Sequence, residues 1–539
     1  MTGTEMHRDV GFPAENVAEG RRGDPPAECV DEDMVVSASA GIPPTVSTAG
    51  SGTKALLTAI ACTVLGFRLT IISSFASGVP ILDQWDAEAS GLYSRYLKGV
   101  LNVTDLFAPH NEHRIVFTRL LALVHLELAG EWNTRLEMII GAIALAVLVT
   151  WLAALLLPLV APRHRVLTAC FIALLFALPL DFENTLWGFQ SQVYLSLLFG
   201  LATLVAFAQA RPFSPRWFGG LAAATLSYFS FALGLAAIIA AVIVVGVQLI
   251  TRARRRCGRE LAAVGVLGLV AVVLVVWGAQ GARPKSNLWT FLEGLGMFTG
   301  LILAAAVPLV LLCRQKIRQG ASITDPVWLI AGIFGWVVIQ LVLLAYGRGT
   351  VIAPRYMDVV LLPYPLAFVA VITIAGRAHA ARSRQRALPA PSAWVFAVVT
   401  VIAVAGYLSV LASSYWAKAT DQQVADVRAY LATGDVNRLA ERGTPSHGVA
   451  LVFPDPQRQG RVLRDPDIQA ILPPELRPAD ADNTNARNRM LLKGRFANAT
   501  ATAVHSISAV GPALLALGTG VFFALGTADN PRGRRESSG

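Results

Sequence analysis

The chain has 539 residues, of which 54% are hydrophobic and 15% are charged, and its formal net charge is +10. Soluble domains carry about 25% charged residues, so this composition excludes an ordinary soluble protein and indicates a polytopic membrane protein. The basic residues fall in short clusters between apolar runs, as in the cytoplasmic loops of membrane proteins. Because they form no patch interleaved with aromatic residues, no nucleic-acid partner is expected.

Residues 1–53 are rich in Gly, Pro, Ser, Asp and Glu and contain few large apolar side chains. Such a segment buries too little surface to offset the loss of chain entropy, and we expect a disordered cytoplasmic tail. Apolar runs of about 20 residues, the length that crosses a bilayer, follow it. Placing every basic cluster in the cytoplasm predicts an all-α polytopic protein with about 12 transmembrane helices and both termini inside.

The predicted spans lie at about 55–78, 135–160, 166–180, 192–210, 217–250 (two), 261–279, 291–312, 326–346, 357–375, 393–413 and 506–527. Residues 115–130 are too short and too polar to cross comfortably, so we expect an interfacial or partly re-entrant helix there. Counting them as a span would invert the topology of everything that follows.

This topology divides the chain into a membrane domain and two cytoplasmic tails, with one late segment outside. The parts are the tail 1–53, the transmembrane domain 54–414 with a first outer loop at 79–134, the extracytoplasmic segment 415–505, the last transmembrane helix 506–527 and the tail 528–539. In the extracytoplasmic segment, ADVRAYLATGDVNRLAE is typical of a helix and GVALVFP of a short strand. No dense core pattern is visible in this segment.

Three acidic residues, Asp83, Asp86 and Glu88, lie within six positions directly after the first span. On a helix Asp83 and Asp86 would be one turn apart. Carboxylates in this arrangement bind a hard divalent cation or act as a general base. The alternative is that Asp83 caps an interfacial helix and Asp86 lies in its first turn. A cap needs one acid and three are present, which favours a functional role.

The same loop continues to His110, Glu112, His113 and Arg114. Two histidines and a glutamate can complete a metal site, and Arg114 can serve as the counter-charge of a phosphate. Histidines three positions apart on a solvated turn also occur without any ligand. The pattern leaves both interpretations open.

Two further polar stretches fall on the same predicted outer face. Glu183, Trp187 and Gln190 lie between the third and fourth spans, where acids, amides and aromatic rings together suit sugar recognition; the alternative is a polar hairpin with an interfacial tryptophan. Arg348 and Arg355, with Tyr356, lie outside against the positive-inside bias. A guanidinium there can clamp a lipid phosphate, or it can simply snorkel to headgroups. Arg283 and Lys285 are weaker candidates of the same kind.

The first outer loop, with Asp83-Gln84 inside LDQWDAE, resembles that of the GT-C superfamily of membrane glycosyltransferases. The resemblance covers roughly residues 55–414 as architecture, and it implies interfacial helices at about 86–100 and 114–130. It also implies that Asp83 is the catalytic base and that the donor is a sugar linked to polyprenyl phosphate. Many members carry a second acid where this chain has Gln84, and Asp86 or Glu88 would substitute for it.

The resulting hypothesis is a glycosyltransferase of the bacterial cytoplasmic (inner) membrane whose active face is extracytoplasmic. Its acceptor would be an envelope glycan, lipid or protein, and its partners would be the donor and the lipid bilayer. The expected substrate-binding residues are Arg114, Glu183, Trp187, Gln190, Arg348, Arg355 and Tyr356. A divalent cation held with His110 and His113 is left open, and no other cofactor is expected. The alternatives are a transporter or flippase, or an assembly scaffold, for a lipid-linked envelope component.

Overall fold

The computed structural model describes residues 51–280, 286–380, 389–440 and 451–528. Helices make up 79% of it, and the described residues form no β-strand, which confirms the predicted all-α class. In the stretch GVALVFP, the described residues 451–454 are irregular and not the expected strand. The predicted tail 1–53, apart from 51–53, lies outside the described residues, as do Arg283, Lys285 and residues 529–539.

Long apolar helices dominate the structure, as expected for a multi-pass membrane protein. In the described ranges, nine helices are long and apolar enough to cross a bilayer, and a tenth candidate is the pair Ala497–Ala509 and Gly511–Thr527, bent by 44°. The nine are Ser51–Phe75, Thr134–Leu159, Gly188–Phe207, Ala232–Ile250, Gly258–Ala279, Leu288–Arg318, Val327–Arg348, Pro354–Arg377 and Ala390–Thr433.

Two of the predicted spans fall on shorter helices. Pro162–Ala177 and Pro215–Ser230 have 16 residues each, below the roughly 20 that cross a hydrocarbon core without tilt or thinning. The expected turn near 230–234 is present, because the backbone of Phe231 is extended between Pro215–Ser230 and the next helix.

The first loop, 79–134, is built from short helices that do not reach the length of a span. Val116–Ala129 has 14 residues and ends where Gly130 adopts a left-handed φ of 64°, which glycine tolerates without strain. Other short helices among the described residues include Trp85–Tyr93 (a π-helix), Ser94–Leu97, Val103–Leu106, Phe182–Leu186, Met357–Leu361, Pro456–Leu463, Pro466–Ile471 and Asn483–Arg489.

The 415–505 segment does not begin at a break in the chain. Helix Pro389–Thr433 runs for 45 residues through the predicted boundary, so a spanning helix continues directly into the segment. The short helices that follow are capped by aspartates: Asp455, Asp465 and Asp482 each accept a backbone N–H of the helix they precede. An aspartate cap satisfies N–H groups that lack partners in the helix.

The first loop and the 415–505 segment share one apolar core. Trp85 and Trp132 of the loop are fully buried and pack edge to face, with ring centroids 5.5 Å apart. They belong to the same cluster as Tyr430, Leu463 and Ile471 of the late segment, and Trp132 donates its backbone N–H to the Ile471 carbonyl at 2.7 Å. The late segment shows no core pattern of its own because the loop contributes much of the core.

Helix Gly511–Ala528 packs closely against helix Ser51–Phe75. A Cβ atom added at Gly66 would collide with the backbone of Leu515, and one at Gly518 would collide with Thr63. Glycines at such positions let two helix backbones approach each other, as is common in membrane bundles. The first and the last described helices therefore lie side by side.

Candidate functional site

Asp83 lies at the start of the first-loop helix and faces a histidine. Its backbone carbonyl accepts the N–H of Ala87 at 2.8 Å, while Gln84 occupies the N-cap position. Its carboxylate lies 3.7 Å from His110 Nε2 and is 38% exposed. Burial raises the pKa of Asp83, but the neighbouring His110 and the charge of Arg355 outweigh burial and hold this pKa below its ordinary value. An ionised, accessible carboxylate is suited to general-base chemistry.

A tight turn places the two histidines beside Asp83. The backbones of His110 and His113 exchange two hydrogen bonds of 2.9 Å, and Asn111 between them has a φ of 50°, a conformation that Asn tolerates better than most residues. The His113 ring stacks on Phe231 at 4.3 Å. Burial, helped by the charge of Arg348, lowers the pKa of His113 to about 4, so this ring is neutral at physiological pH.

The geometry does not provide a ligand set for a divalent cation. His110 approaches Asp83 at 3.7 Å and His113 approaches Glu112 at 3.6 Å, as two separate pairs. Within the described part of the chain, no three His, Cys, Asp or Glu side chains are arranged to hold a metal ion.

Arg348 and Arg355, the two arginines expected to clamp a lipid phosphate, are each paired with a carboxylate. Arg348 pairs with Glu112 of the first loop. Arg355 Nη1 lies 2.8 Å from Glu183 Oε2, and its guanidinium is 5.5 Å from the centre of the Tyr356 ring. Burial raises the pKa of Glu183, and Arg355 offsets part of this effect. The structure thus brings together two residues that the sequence placed in separate stretches, Glu183 and Arg355.

Arg348, Glu112 and His113 form the polar end of a cavity of about 290 Å³. The hydroxyl of Tyr356 belongs to the same lining; it is buried and has no hydrogen-bond partner among the described residues. The remaining wall is largely apolar and includes Phe231, Leu233, Leu235, Val275, Leu343 and Leu344. The cavity combines largely apolar walls with an arginine–glutamate ion pair and a tyrosine hydroxyl, the usual composition of a small-molecule site.

The other two acids of the predicted catalytic group, Asp86 and Glu88, have different surroundings from Asp83. Asp86 forms an ion pair with Arg458 of the 415–505 segment. Glu88 is only 2% exposed and accepts hydrogen bonds from Gln84 Nε2 at 3.0 Å and Trp132 Nε1 at 3.1 Å. Burial raises the pKa of Glu88 to about 7, although these hydrogen bonds counteract it. Glu88 therefore holds the loop helix in place and is not open to a substrate.

The remaining predicted substrate-binding residues are enclosed or engaged elsewhere. Trp187 and Gln190 are each 4% exposed, and Trp187 packs against Phe189 with ring centroids 5.7 Å apart. Arg114 lies 4.7 Å from the centre of the Trp277 ring and donates to the carbonyl of Phe107 at 3.0 Å. In this conformation these three side chains support the walls around the site and do not face the cavity.

Sequence reasoning missed a buried polar network beneath Arg355. Arg68 of the first spanning helix pairs with Asp181, which also accepts the Tyr194 hydroxyl at 2.7 Å. Asn184 donates to Asp358 at 2.8 Å and to the backbone carbonyl of Arg355 at 2.9 Å. A single arginine inside an apolar run is itself a signal, because ionisable residues within membrane helices are costly and usually paired or functional.

Comparison with known proteins adds no family to this description. The chain matches no protein-family model, no curated protein and no solved structure. The functional assignment therefore rests on the geometry of Asp83, the histidine turn and the cavity.

Proposed function

We propose that this protein is a membrane glycosyltransferase of GT-C type that transfers a sugar from a polyprenyl-phosphate donor to an envelope acceptor. The cavity that ends at Arg348 and Tyr356 is the observation that carries the proposal. Its apolar walls suit the first isoprene units of the lipid. A guanidinium and an unpartnered buried hydroxyl suit the phosphate that joins lipid to sugar.

The reaction follows from the position of Asp83. Asp83 accepts the proton of the acceptor hydroxyl while the hydroxyl oxygen forms a bond to the anomeric carbon of the sugar. The bond from that carbon to the phosphate oxygen breaks, and polyprenyl phosphate leaves with the electron pair. Arg348 and Arg355 stabilise the negative charge that builds on the phosphate. The turn from His110 to His113 connects Asp83 to the cavity.

The proposed topology places this site on the outer face of the bacterial cytoplasmic membrane. The nine long helices, the bent pair and the two 16-residue helices can together serve as the twelve predicted spans. With both termini inside, every basic cluster faces the cytoplasm. The site then faces the compartment in which envelope glycans, lipids and proteins are available as acceptors.

Lipid binding tests the donor site first. We expect undecaprenyl phosphate to bind the full chain in phosphatidylcholine nanodiscs. Arg348→Ala lowers its affinity about tenfold or more, because a charge-assisted contact is lost. Asp83→Asn and the exposed control Arg495→Ala bind as the wild type does. Wild-type protein that fails to bind the lipid, or Arg348→Ala that binds it normally, would contradict the proposal.

Enzymatic turnover tests whether Asp83 is the general base. With a sugar donor found by screening polyprenyl-phosphate sugars, Asp83→Asn should reduce product formation by about 10²–10⁴-fold, the usual contribution of general-base catalysis. The loss should appear in kcat while donor affinity is unchanged. A variant that retains more than a tenth of the activity would exclude Asp83 as the base.

A transporter or flippase for the same lipid is the second candidate, and the network around Arg68, Asp181 and Asp358 favours it. Buried ionisable groups in or beside spanning helices are typical of carriers. Proteoliposomes that contain fluorescent polyprenyl phosphate distinguish the two functions. Quenching the fluorescence of the lipid in the outer leaflet measures how much of the lipid has moved between leaflets. Transfer without lipid movement supports the enzyme, whereas protein-dependent flipping that Arg68→Ala abolishes supports the carrier.

A further inference from the structure

A second cleft lies between the first loop and the 415–505 segment, separate from the cavity at Arg348. It has a volume of about 310 Å³. One wall is the loop helix with Ser90 and Ser94, and the other is helix Pro456–Leu463 with Arg458 and Arg461. Its walls are more polar than those of the first cavity, so it suits a hydrophilic ligand.

The basic side of this cleft carries a cation that is not neutralised. Arg458 and Arg461 are three residues apart, which places them on one face of their helix. Arg458 is paired with Asp86, whereas the exposed Arg461 forms no hydrogen bond or ion pair within the described ranges. Asp465, the acid in the cleft, is already engaged by Ser94 and Lys98 at 2.6 Å each. The cleft therefore offers a guanidinium to an anion.

A line of polar residues connects the proposed base to this cleft. After Asp83 come Asp86, Ser90 and Ser94, spaced three or four residues apart along one helical stretch. Ser90 donates to the carbonyl of Asp86 at 3.0 Å, which continues the line. The two serines thus follow Asp83 within the same helical stretch of the first loop. An extended acceptor that places its reacting hydroxyl at Asp83 can therefore place a neighbouring part of the same molecule in the cleft.

The two walls are held at a fixed separation. Both helices contribute to the shared apolar core through residues such as Tyr93 and Leu463. The contact of Lys98 and Ser94 with Asp465 ties the loop to the late segment at the edge of the cleft. A preformed cleft avoids the entropic cost of ordering its walls when a ligand binds.

We infer that this cleft binds an anionic saccharide portion of the acceptor, a sugar that carries a carboxylate or a phosphate. Arg461 provides the charge-assisted contact, and the Ser90 hydroxyl oxygen accepts a hydrogen bond from a neighbouring sugar hydroxyl. Val462 provides a small apolar surface for the C–H face of a ring. The inference rests on the proposed function, because it assigns the cleft to the acceptor of that reaction.

The test measures binding of tetragalacturonate to the full chain in phosphatidylcholine nanodiscs. We expect the wild type to bind it about tenfold or more tightly than uncharged maltotetraose. Arg461→Ala should lower the affinity about tenfold or more. The matched control Arg464→Ala removes an exposed arginine of the same segment that does not line the cleft, and it should bind like the wild type.

Three results would overturn the inference. Equal affinities of wild type and Arg461→Ala would show that the cleft is not the binding site. Equal binding of maltotetraose would show that charge is not recognised. Displacement of tetragalacturonate by inorganic phosphate at the same concentration would show that the cleft binds any anion and does not recognise a sugar.

The outcome is separable from that of the proposed function, because undecaprenyl phosphate is measured on the same samples. If the lipid fails to bind while tetragalacturonate binding depends on Arg461, the glycosyltransferase proposal falls and the cleft stands as a saccharide site. If the lipid binds as expected and tetragalacturonate does not, only the cleft assignment falls.

Discussion

Asp83 and Glu88 are five residues apart in one helical stretch, yet their surroundings give them different roles. Asp83 is partly exposed beside His110, which helps to hold its pKa below the ordinary value. Glu88 is buried against Gln84 and Trp132, and its pKa is raised to about 7. Two carboxylates whose environments give them different pKa values commonly have different roles in the same site. Here one is suited to chemistry and the other to holding the loop.

The raised pKa of Glu88 predicts a pH-dependent stability. Between its ordinary pKa of 4.5 and the folded value of about 7, the folded protein keeps a proton that the unfolded chain has lost. Stability therefore falls as pH rises through this window, by about 3 kcal/mol. Glu88→Gln keeps an oxygen for Gln84 and Trp132 but cannot ionise, and it should make this fall smaller.

Unfolding in mixed micelles between pH 4.5 and pH 8 measures the effect. The matched control is Asp426→Asn, which changes a half-buried acid of the late segment that accepts from Gln422. This control should keep the wild-type slope. An unchanged slope in Glu88→Gln would show that other groups produce the pH dependence.

Single residues of the site were predictable where they break a local rule. Asp83 and Arg348 stand out in sequence because acids, and arginines in a loop predicted to lie outside, are unusual in an apolar chain. Their partners were not predictable: Glu112 pairs with Arg348 across 236 positions, and no local pattern encodes such a distance. The burial of Trp187 and Gln190 also depends on tertiary packing, which hydropathy does not report.

Between elements, glycines set the distance from helix Ser51–Phe75 to helix Gly511–Ala528. Gly518 has no space for a Cβ atom, whereas a Cβ at Gly520 would meet nothing within 4 Å. We expect Gly518→Ala to lower the free energy of unfolding by about 1–3 kcal/mol, because it overpacks the contact. Gly520→Ala in the same helix should change it by less than about 1 kcal/mol.

Unfolding of the two glycine variants in mixed micelles gives both values. A disulfide cross-link engineered between the two helices should form more slowly in Gly518→Ala than in Gly520→Ala. Equal free energies of unfolding in the two variants would show that the two helices can move apart without loss of stability, contrary to their close contact.

Removal of Arg68 should lower the free energy of unfolding far more than removal of a surface cation does. Arg68 is fully buried, and its loss leaves the charge of Asp181 without its partner. Breaking a buried pair in this way costs about 3–5 kcal/mol. Lys98→Ala removes a half-exposed partner of Asp465 and should cost about 1 kcal/mol or less. Similar losses in the two variants, measured by unfolding in mixed micelles, would contradict this account.

Helix positions were more predictable than helix boundaries. Hydropathy located the apolar runs, because a span must be about 20 residues long. It could not show that helix Pro389–Thr433 continues beyond the predicted boundary at 414, since a polar helix can extend from an apolar one without a break. It also could not show that two of the runs form helices of only 16 residues.

At the scale of the molecule, the first loop and the 415–505 segment behave as one folded unit. Leu463 is fully buried in their shared core, whereas Leu491 of the same segment is 80% exposed. Leu463→Ala should cost about 2–5 kcal/mol and open both parts to protease. Leu491→Ala should leave the cleavage pattern unchanged. Cleavage of the late segment alone in Leu463→Ala would show that the two parts fold separately.

The pairing of helix Gly511–Ala528 with helix Ser51–Phe75 has a consequence for biosynthesis. At about 5–20 residues per second, a ribosome completes the second helix tens of seconds after the first. Throughout that interval the glycine face around Gly66 is uncovered in the membrane, and the loop that carries Asp83 lacks the partner half of its core. A nascent chain that stalls in this period holds the proposed base without its surroundings. Translation itself thus delays assembly of the site until almost the whole chain has left the ribosome.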